Sequence, residues 1–510
     1  MKIVSSKEMA IIDSRAQSEY VIPGSILMEN AGVAAVEKLV AKVWRNALPD
    51  GSFVFLAGKG NNAGDAFVMA RRFSILGKQD ICIILALGEI KQDSDAERNL
   101  SACIKMGIPV LDIAASKKAA FSTIESCTVL FDGLFGTGLK NRLSKDIVKL
   151  LQFVNKCSCI RMAIDIPSGL YDGYTPDQTM FLADMTLTME LPKECLYLPC
   201  ARPLCGEILT VPVGFPEELT AADEIKGHLL LDHDIFELVP ELPLHAYKKT
   251  RGHALVFAGS PGTTGAAVLA ATAAGRSGAG LVTICTDEAS YPIIASQCIS
   301  IMTARNNDRE IDFFLKNKKY TALCAGPGMG IQENTRNIIK RLVRLPVPKV
   351  IDADGISILA EIRKTGSITM NNTAILTPHP GECAHLLGCS VEELLVNPLP
   401  QLASLARELA AVIVLKAHIS IIMSPDSRYW VYDHMNPGLG TGGTGDVLAG
   451  IITGLLAQKI PPLEAACAGV LIHGKIGMRA YEEMGWFLAE DLLPYISAAA
   501  CINERNELWQ

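Results

Sequence analysis

The chain has 510 residues, 49% of them hydrophobic and 20% charged, with a formal net charge of -7. That length calls for two or three domains, and the acidic balance argues against a nucleic-acid or anionic-membrane binder. The N-terminus lacks an apolar signal core, no apolar run reaches the roughly 18 residues of a membrane span, and the 15 cysteines show no zinc spacing, so a cytoplasmic protein with reduced thiols is expected.

Apolar strands alternate with amphipathic helical stretches from end to end, the α/β pattern of buried parallel sheets. Residues 1–50 read as mostly helical. Strands are predicted at 53–57, 81–87, 129–132, 162–166, 186–189 and 208–213. The stretch 217–251 is charged and proline-containing, and it places a boundary near residue 225, giving domains at 1–222 and 226–510. A second series of strands is predicted at 253–258, 281–286, 322–325, 350–352, 374–376 and 412–415, followed by helices at 444–457 and 462–480.

In the first half, Gly58-Lys-Gly-Asn-Asn-Ala-Gly-Asp65 joins a strand to a helix predicted from Ala66. In a parallel sheet this junction lies at the carboxyl edge, where ligands bind. Gly58, Gly60 and Ala63 satisfy the dinucleotide pattern G-x-G-x-x-A. The acidic residue expected at the end of the next strand is not there: Asp80 precedes that strand and Glu89 comes late. The plain alternative is a turn in which Asn61 and Asn62 adopt left-handed conformations. Phe131-Asp-Gly-Leu-Phe-Gly-Thr-Gly138 ends another strand in Asp132, and Ala163-Ile-Asp-Ile-Pro-Ser-Gly169 ends a third in Asp165, with Ser168 close behind. One such aspartate could simply cap a helix. Three polar loops at consecutive strand ends point instead to a ligand, and Asn62, Asp132 and Ser168 could give a cation hard oxygen ligands.

With Leu27-Met-Glu-Asn-Ala-Gly32, these motifs resemble the NAD(P)H-hydrate epimerase family over about residues 1–217. The resemblance implies a Rossmann-like domain with K+ at Asn62, Asp132 and Ser168. It also implies hydrate contacts from Asn61, Asn62, Ala63, Gly64 and Asp65, from Gly136, Thr137, Gly138, Leu139, Lys140, Asn141 and Arg142, and from Asp165. Asp165 is the candidate for acid/base work at the C6 carbinol. Ala63 and Ala66 depart from the family, which usually has glycine there.

The second half carries Asn436-Pro-Gly-Leu-Gly-Thr-Gly-Gly-Thr-Gly-Asp446, with five glycines ahead of an apolar helical pattern. Bare backbone N–H groups, together with the positive end of a helix dipole, make an anion site suited to phosphate. Asp446 either caps that helix or takes a proton from a hydroxyl that attacks phosphorus. Ala258-Gly-Ser-Pro-Gly-Thr-Thr-Gly-Ala-Ala267 and Gly326-Pro-Gly-Met-Gly330 are further glycine loops at strand ends, and the small residues after Ala266 predict a helix packed close to its sheet. Asp352 and Asp354 in Ile351-Asp-Ala-Asp-Gly355 could work through water on Mg2+ or cap a helix. In Leu376-Thr-Pro-His-Pro-Gly-Glu382 two prolines hold His379 in a rigid turn. In Leu415-Lys-Ala-His-Ile-Ser420, Lys416 either meets a phosphate as a point charge or is solvated, while His418 and His473 read as structural on their own.

In this order the motifs resemble the ADP/ATP-dependent NAD(P)H-hydrate dehydratase family, of ribokinase-like fold, over 226–510. The resemblance implies hydrate contacts at Ala266, Gly328, His379 and Asp446. It implies nucleotide contacts at Lys416, Ala417, His418, Ile419 and Ser420, and at Gly442, Gly443, Thr444 and Gly445. Two places depart: Ala417 stands where the family often has glycine, and His245-Ala-Tyr-Lys-Lys-Thr-Arg251 replaces the usual His-Lys-Gly entry. The expectation is an α/β chain of two three-layer α/β/α domains, one epimerising NAD(P)H hydrate and one dehydrating it with ADP or ATP. K+ and Mg2+ are the expected ions and a homo-oligomer the expected assembly, with no nucleic acid or membrane as partner. Three other readings remain open: a small-molecule kinase of the vitamin or sugar type, an NAD-dependent dehydrogenase built on Gly58–Ala63, and a first domain that only binds.

Overall fold

The computed structural model describes residues 1–307, 309, 311–313, 319–366 and 368–501. The chain forms two compact units, Met1–Gly227 and His228–Gln510. Residues 502–510 of the second predicted domain lie outside the described residues. Among the described residues no helix is long and apolar enough to cross a membrane.

After a two-residue strand at Lys2–Ile3, the first unit has helices Ser6–Ser18 and Gly24–Lys38. The earlier of these starts in a capping box: Glu8 N–H donates to Ser5 Oγ (3.2 Å) and Ser5 N–H donates to Glu8 Oε2 (2.8 Å). Seven strands follow: β1 (Phe53–Ala57), β2 (Ile81–Leu85), β3 (Val110–Asp112), β4 (Val129–Gly133), β5 (Ile160–Ile164), β6 (Met185–Met189) and β7 (Glu207–Val211). Their order is β3-β2-β1-β4-β5-β6-β7, and every neighbouring pair is parallel. This is the Rossmann order with a seventh strand added, and it reverses between β1 and β4. Phe53, Phe55 and Ala57 join one apolar cluster while Val54 and Leu56 join another. Side chains that alternate across a strand thus feed two helical layers, one on each face.

All six strands predicted for this half are present, with ends displaced by up to two residues; β3 was not foreseen. The helix after β1 is corrected more substantially. It runs Asn61–Ile75 and starts well before Ala66, because Gly60 is its extended N-cap (φ -101°, ψ -164°) and accepts the N–H groups of Ala63 and Gly64. The polar residues read as a loop are the first turn of a helix. Ala66 is fully buried there, and a methyl on Gly133 would lie 2.7 Å from its Cβ. The bare backbone of Gly133 leaves the space that the Ala66 methyl fills.

Among the described residues of the second unit nine strands lie between His253 and Tyr432: β8 (His253–Phe257), β9 (Leu281–Thr286), β10 (Met302–Arg305), β11 (Ala322–Ala325), β12 (Lys349–Ile351), β13 (Ala374–Leu376), β14 (Ala411–Lys416), β15 (Ser420–Met423) and β16 (Tyr429–Tyr432). They run β16-β15-β14-β13-β12-β11-β8-β9-β10; β14 to β10 are parallel, and β15 and β16 are antiparallel additions. The order reverses between β8 and β11, so a second crevice opens at their carboxyl ends. Ala254, Val256, Cys324 and Val414 face the helices Thr264–Arg276, Thr444–Ala457 and Pro462–Met484, and Leu255, Phe257, Leu323 and Leu415 are buried on the other face. Strands β10, β15 and β16 were not predicted.

The helix Thr444–Ala457 has 12 of its 14 residues buried, so its position is set by packing all round. It lies on the alanine-rich helix Thr264–Arg276 through Gly450 and Gly454. A methyl on Gly450 would come within 2.2 Å of the Ala270 carbonyl oxygen, and one on Gly454 within 2.1 Å of Ser277 Oγ. Gly450→Ala is therefore expected to push the helix off its partner and destabilise the chain by about 1–3 kcal/mol, read as a lower urea midpoint at unchanged m-value.

Candidate functional site

In the first unit the reversal point gathers loops from three strands. Asp132, at the end of β4, is fully buried and accepts Ser168 N–H on Oδ2 (2.7 Å), and Ser168 Oγ–H (2.7 Å) and Leu134 N–H (3.2 Å) on Oδ1. Burial pushes its carboxyl up to about 6, against the opposing pull of those hydrogen bonds. Ser168 Oγ in turn accepts Phe135 N–H (3.0 Å). Asn62 donates from Nδ2 to the Phe135 carbonyl (2.9 Å), which leaves its Oδ1 buried with no hydrogen-bond partner. A buried oxygen in that state calls for a donor or a cation. Asn62, Asp132 and Ser168, singled out in the sequence, thus surround one loop.

Asp165 follows β5 with φ 66°, a left-handed backbone that non-glycine residues seldom adopt. Lys193 holds its side chain, with the ammonium 2.5 Å from Asp165 Oδ1 and the lysine side chain 1% exposed. Asp65, half-buried one turn along the helix from Asn61, has its carboxyl pushed well above the ordinary range by burial and then by the Asp165 charge. Gly136 faces this group: a Cβ on it would lie 3.1 Å from Asp165 Oδ2 and 3.4 Å from Asn62 Cγ. Ala63 and Gly64 are buried under the helix, and Thr137 and Leu139 are half-buried. Asn61, Gly138, Lys140, Asn141 and Arg142 are exposed, and Arg142 pairs with Asp177 (2.9 Å) on a neighbouring loop.

The second crevice is built the same way. Gly443, with φ 94°, is the N-cap of the helix that begins at Thr444, and Thr444 Oγ–H donates to the carbonyls of Leu439 (2.8 Å) and Thr441 (2.9 Å). His473 Nε2–H donates to the Thr444 carbonyl (2.9 Å), and burial lowers that imidazole to about 3, so it stays neutral. These bonds fix the start of the helix, and a Cβ on Gly440 or Gly442 would meet only open space. Asp446 stands in the first helical turn, half-buried. Burial and then the Asp352 charge lift its carboxyl to about 7, against the pull of Lys416.

Lys416, at the end of β14, reaches Asp352 Oδ1 (2.6 Å), and its Nζ lies 3.2 Å from where a Cβ on Gly445 would stand. It therefore sits beside the glycine nest and is not a solvated surface lysine. Asp352 makes no cap bond to the helix after it; Oδ1 accepts Lys416 and Thr377 Oγ–H (2.8 Å), while Asp354 accepts Gly330 N–H (2.8 Å). Capping, one of the two roles open to this pair, does not apply to Asp352. His379 caps helix Pro380–Leu387: Nδ1 accepts Gly381 N–H (3.0 Å) and Nε2–H meets Glu382 Oε1 (3.2 Å), which fixes the tautomer. Its side chain remains 57% exposed, open to a ligand. The Gly328 carbonyl accepts Ser260 Oγ–H (2.9 Å) and Thr263 Oγ–H (2.8 Å), which ties the loops after β8 and β11 together next to half-buried Ala266. Ala417, His418 and Ile419 form the tight β14–β15 turn, and Ser420 Oγ pairs with His434 Nε2 (3.1 Å).

Residues 24–195 match the family of YjeF-related protein N-termini, and residues 254–498 match the NAD(P)H-hydrate dehydratase family. A bifunctional NAD(P)H-hydrate repair enzyme from Moorella thermoacetica is 33% identical over 97% of this chain and 96% of its own. The chain belongs to the bifunctional NAD(P)H-hydrate repair enzymes. Relatives of the same description from Coxiella burnetii (33% identity, 92% of this chain and 93% of its own) and Escherichia coli K12 (30%, 88% and 84%) agree. A solved ADP/ATP-dependent NAD(P)H-hydrate dehydratase from Bacillus subtilis, co-crystallised with ATP/Mg2+, is 28% identical and covers 53% of this chain and 97% of its own, with a TM-score of 0.47.

In this repair enzyme the first unit, with its Rossmann strand order, is the epimerase domain, and the second is the dehydratase domain. Sequence reasoning missed Lys193. It follows Leu191-Pro192 beyond β6 and reads as an ordinary surface lysine; the one available signal was its place just past the carboxyl end of a strand adjacent to the Asp165 loop.

Proposed function

We propose that the repair enzyme works through two chemically separate sites. In the first, R and S hydrates interconvert: Asp165 gives a proton to the C6 hydroxyl, the C6–O bond breaks to release water and leave a nitrogen-stabilised cation, and water returns to the other face of C6 as Asp165 takes the proton back. In the second, Asp446 takes the C6 hydroxyl proton of the S hydrate, and the oxygen attacks the terminal phosphoryl of ADP or ATP, breaking its bond to the bridging oxygen and releasing AMP or ADP. The charge that develops is received by the N–H groups of Gly442–Gly445. Loss of phosphate from C6 and of a proton from C5 restores the dihydronicotinamide. The observation that carries this reading is Asp446 itself: a carboxyl lifted to about 7 in the first turn of a helix whose glycine nest is open to a ligand. A base is most effective when its pKa lies near the working pH.

Asn62, Asp132 and Ser168 would hold K+. The support is the unpartnered, buried Oδ1 of Asn62, whose amide is linked through Phe135 and Ser168 to the buried Asp132 carboxylate. When bound, the ion supplies positive charge next to the reacting oxygen. Mg2+ would enter with the nucleotide phosphates; Asp352 is 1% exposed and paired with Lys416, so half-buried Asp354 is the carboxylate that water can reach. We place the enzyme in the cytoplasm, where its fifteen thiols, with no disulfide among the described residues, would stay reduced, and expect a homo-oligomer.

We take residues 1–222 and 226–510 as separately folding domains, each long enough for its own core. Expressed apart, the second fragment is expected to dehydrate S hydrate with nucleotide and then stall with the R fraction unreacted. Adding the first fragment should carry an early time course on to completion without consuming nucleotide in its own step. A second fragment that used both epimers equally fast would overturn the two-site reading.

A further inference from the structure

The buried ammonium of Lys193 is a strong feature of the first unit that the proposed chemistry leaves unused. Its side chain is 1% exposed, and Nζ lies 2.5 Å from Asp165 Oδ1, 2.7 Å from the Met189 carbonyl and 3.3 Å from Thr188 Oγ1. A lysine has three N–H donors and no acceptor, and here three oxygens receive them. Lys193 therefore has no hydrogen left to give a substrate, and it acts through what it holds.

The group it holds is set in an unusual way. Asp165 Oδ1 takes the ammonium and also the Met189 N–H (3.3 Å), so that oxygen is engaged from two sides by β6 and the residues after it. The Asp165 backbone is fixed at φ 66° by its N–H to the Leu187 carbonyl (2.8 Å). Strained backbone of this kind persists only where the surroundings over-determine it. Oδ2 is turned the other way, 3.1 Å from where a side chain on Gly136 would begin, and the same point is 3.4 Å from Asn62 Cγ. The missing side chain of Gly136 leaves this oxygen facing the polar loop, while Oδ1 faces the protein.

We infer that Lys193 is a positioning residue for epimerisation, which clamps Asp165 through Oδ1 so that Oδ2 alone exchanges the proton with the hydrate. The inference rests on the reading of Asp165 as the acid/base group. Proton transfer needs the carboxylate held to within about half an ångström, and a buried three-point ammonium does that better than a solvated partner.

The test is a double-mutant cycle in the full-length chain without nucleotide, so that only R-to-S conversion is read, with the uncatalysed rate subtracted. Lys193→Met is expected to lower kcat about a hundredfold with KM within about threefold, and Asp165→Asn to lower it at least as far. Because Lys193 works only through Asp165, the Asp165→Asn/Lys193→Met double variant should be no more than about threefold slower than Asp165→Asn. Losses that multiply in the double variant, or a Lys193→Met enzyme with near-native kcat, would overturn the inference. Near-native Asp165→Asn would instead remove the reading of Asp165, and the inference with it. Lys193→Met leaves a lone buried carboxylate and can misfold for that reason. The double variant lacks that charge, so its rate against Asp165→Asn alone decides: equality supports the clamp, and a further loss contradicts it.

Discussion

Asp446→Asn is expected to lower kcat for dehydration of the S hydrate by about a hundredfold or more while leaving epimerisation at its native rate. The amide keeps the size and hydrogen-bonding capacity of the carboxylate but cannot accept the hydroxyl proton. The native pH profile should show the same group: dehydration rises as pH climbs through about 7, where Asp446 loses its proton, and levels off above. The variant's residual rate should lack that limb. Stability moves the opposite way. Asp446 has a folded pKa raised above its unfolded value, so its contribution is full below the unfolded pKa and is lost as pH rises through about 7. At pH 8 the variant should therefore unfold at a higher urea concentration than the native chain, by a margin on the order of 2 kcal/mol. A variant as active as the native enzyme would end the assignment of Asp446 as the base; one that is slow and also unstable at pH 8 would point to misfolding.

Asp132→Ala is expected to abolish most epimerisation, by about a hundredfold, and to leave dehydration of pure S hydrate intact. The carboxylate is fully buried and binds three donors, two from Ser168 and one from Leu134, and through Ser168 and Phe135 it is tied to Asn62, whose Oδ1 is buried without a partner. Removing it takes away the only anion of the proposed K+ site and frees the Ser168 loop. Its raised pKa, about 6 and due first to burial, gives a second readout. By the same sign rule, the ionised form costs stability as pH rises through about 6, and a bound cation would offset that cost. Replacing a choline salt by KCl should thus raise the melting temperature of the native chain at pH 8 more than at pH 5, and should not do so in Asp132→Ala. Equal loss of both activities in the variant would indicate misfolding or one shared site.

Much of this architecture could be read from the chain. Continuous apolar runs such as 53–57 and 322–325 gave strands at the observed residues, because a strand buried on both faces has no polar side to blur its pattern. The glycine nest and the strand-end aspartates were legible for the opposite reason: their residue types make little sense in an ordinary turn. What escaped was set by tertiary contact. Strands β3 and β10 are short outer strands, and the β15–β16 pair rests on antiparallel partners that no local pattern names. The helix start at Asn61 was hidden by two asparagines, which favour turns, and was decided by the extended Gly60. Asp352 looked like a helix cap or metal ligand, and only the fold shows that its partner is Lys416, 64 residues away. Lys193 was invisible for a similar reason, since a lysine is expected at the surface unless a buried carboxylate waits for it.

The most direct test of the two-site account is to incubate the full-length chain with mixed R and S hydrate and ADP or ATP, following reduced-nicotinamide absorbance and released phosphate together. The account predicts conversion of both epimers to NAD(P)H, one phosphate released for each NAD(P)H formed, and no lasting phosphorylated hydrate. A stable phosphorylated product, or a halt once the S fraction is consumed, would contradict it.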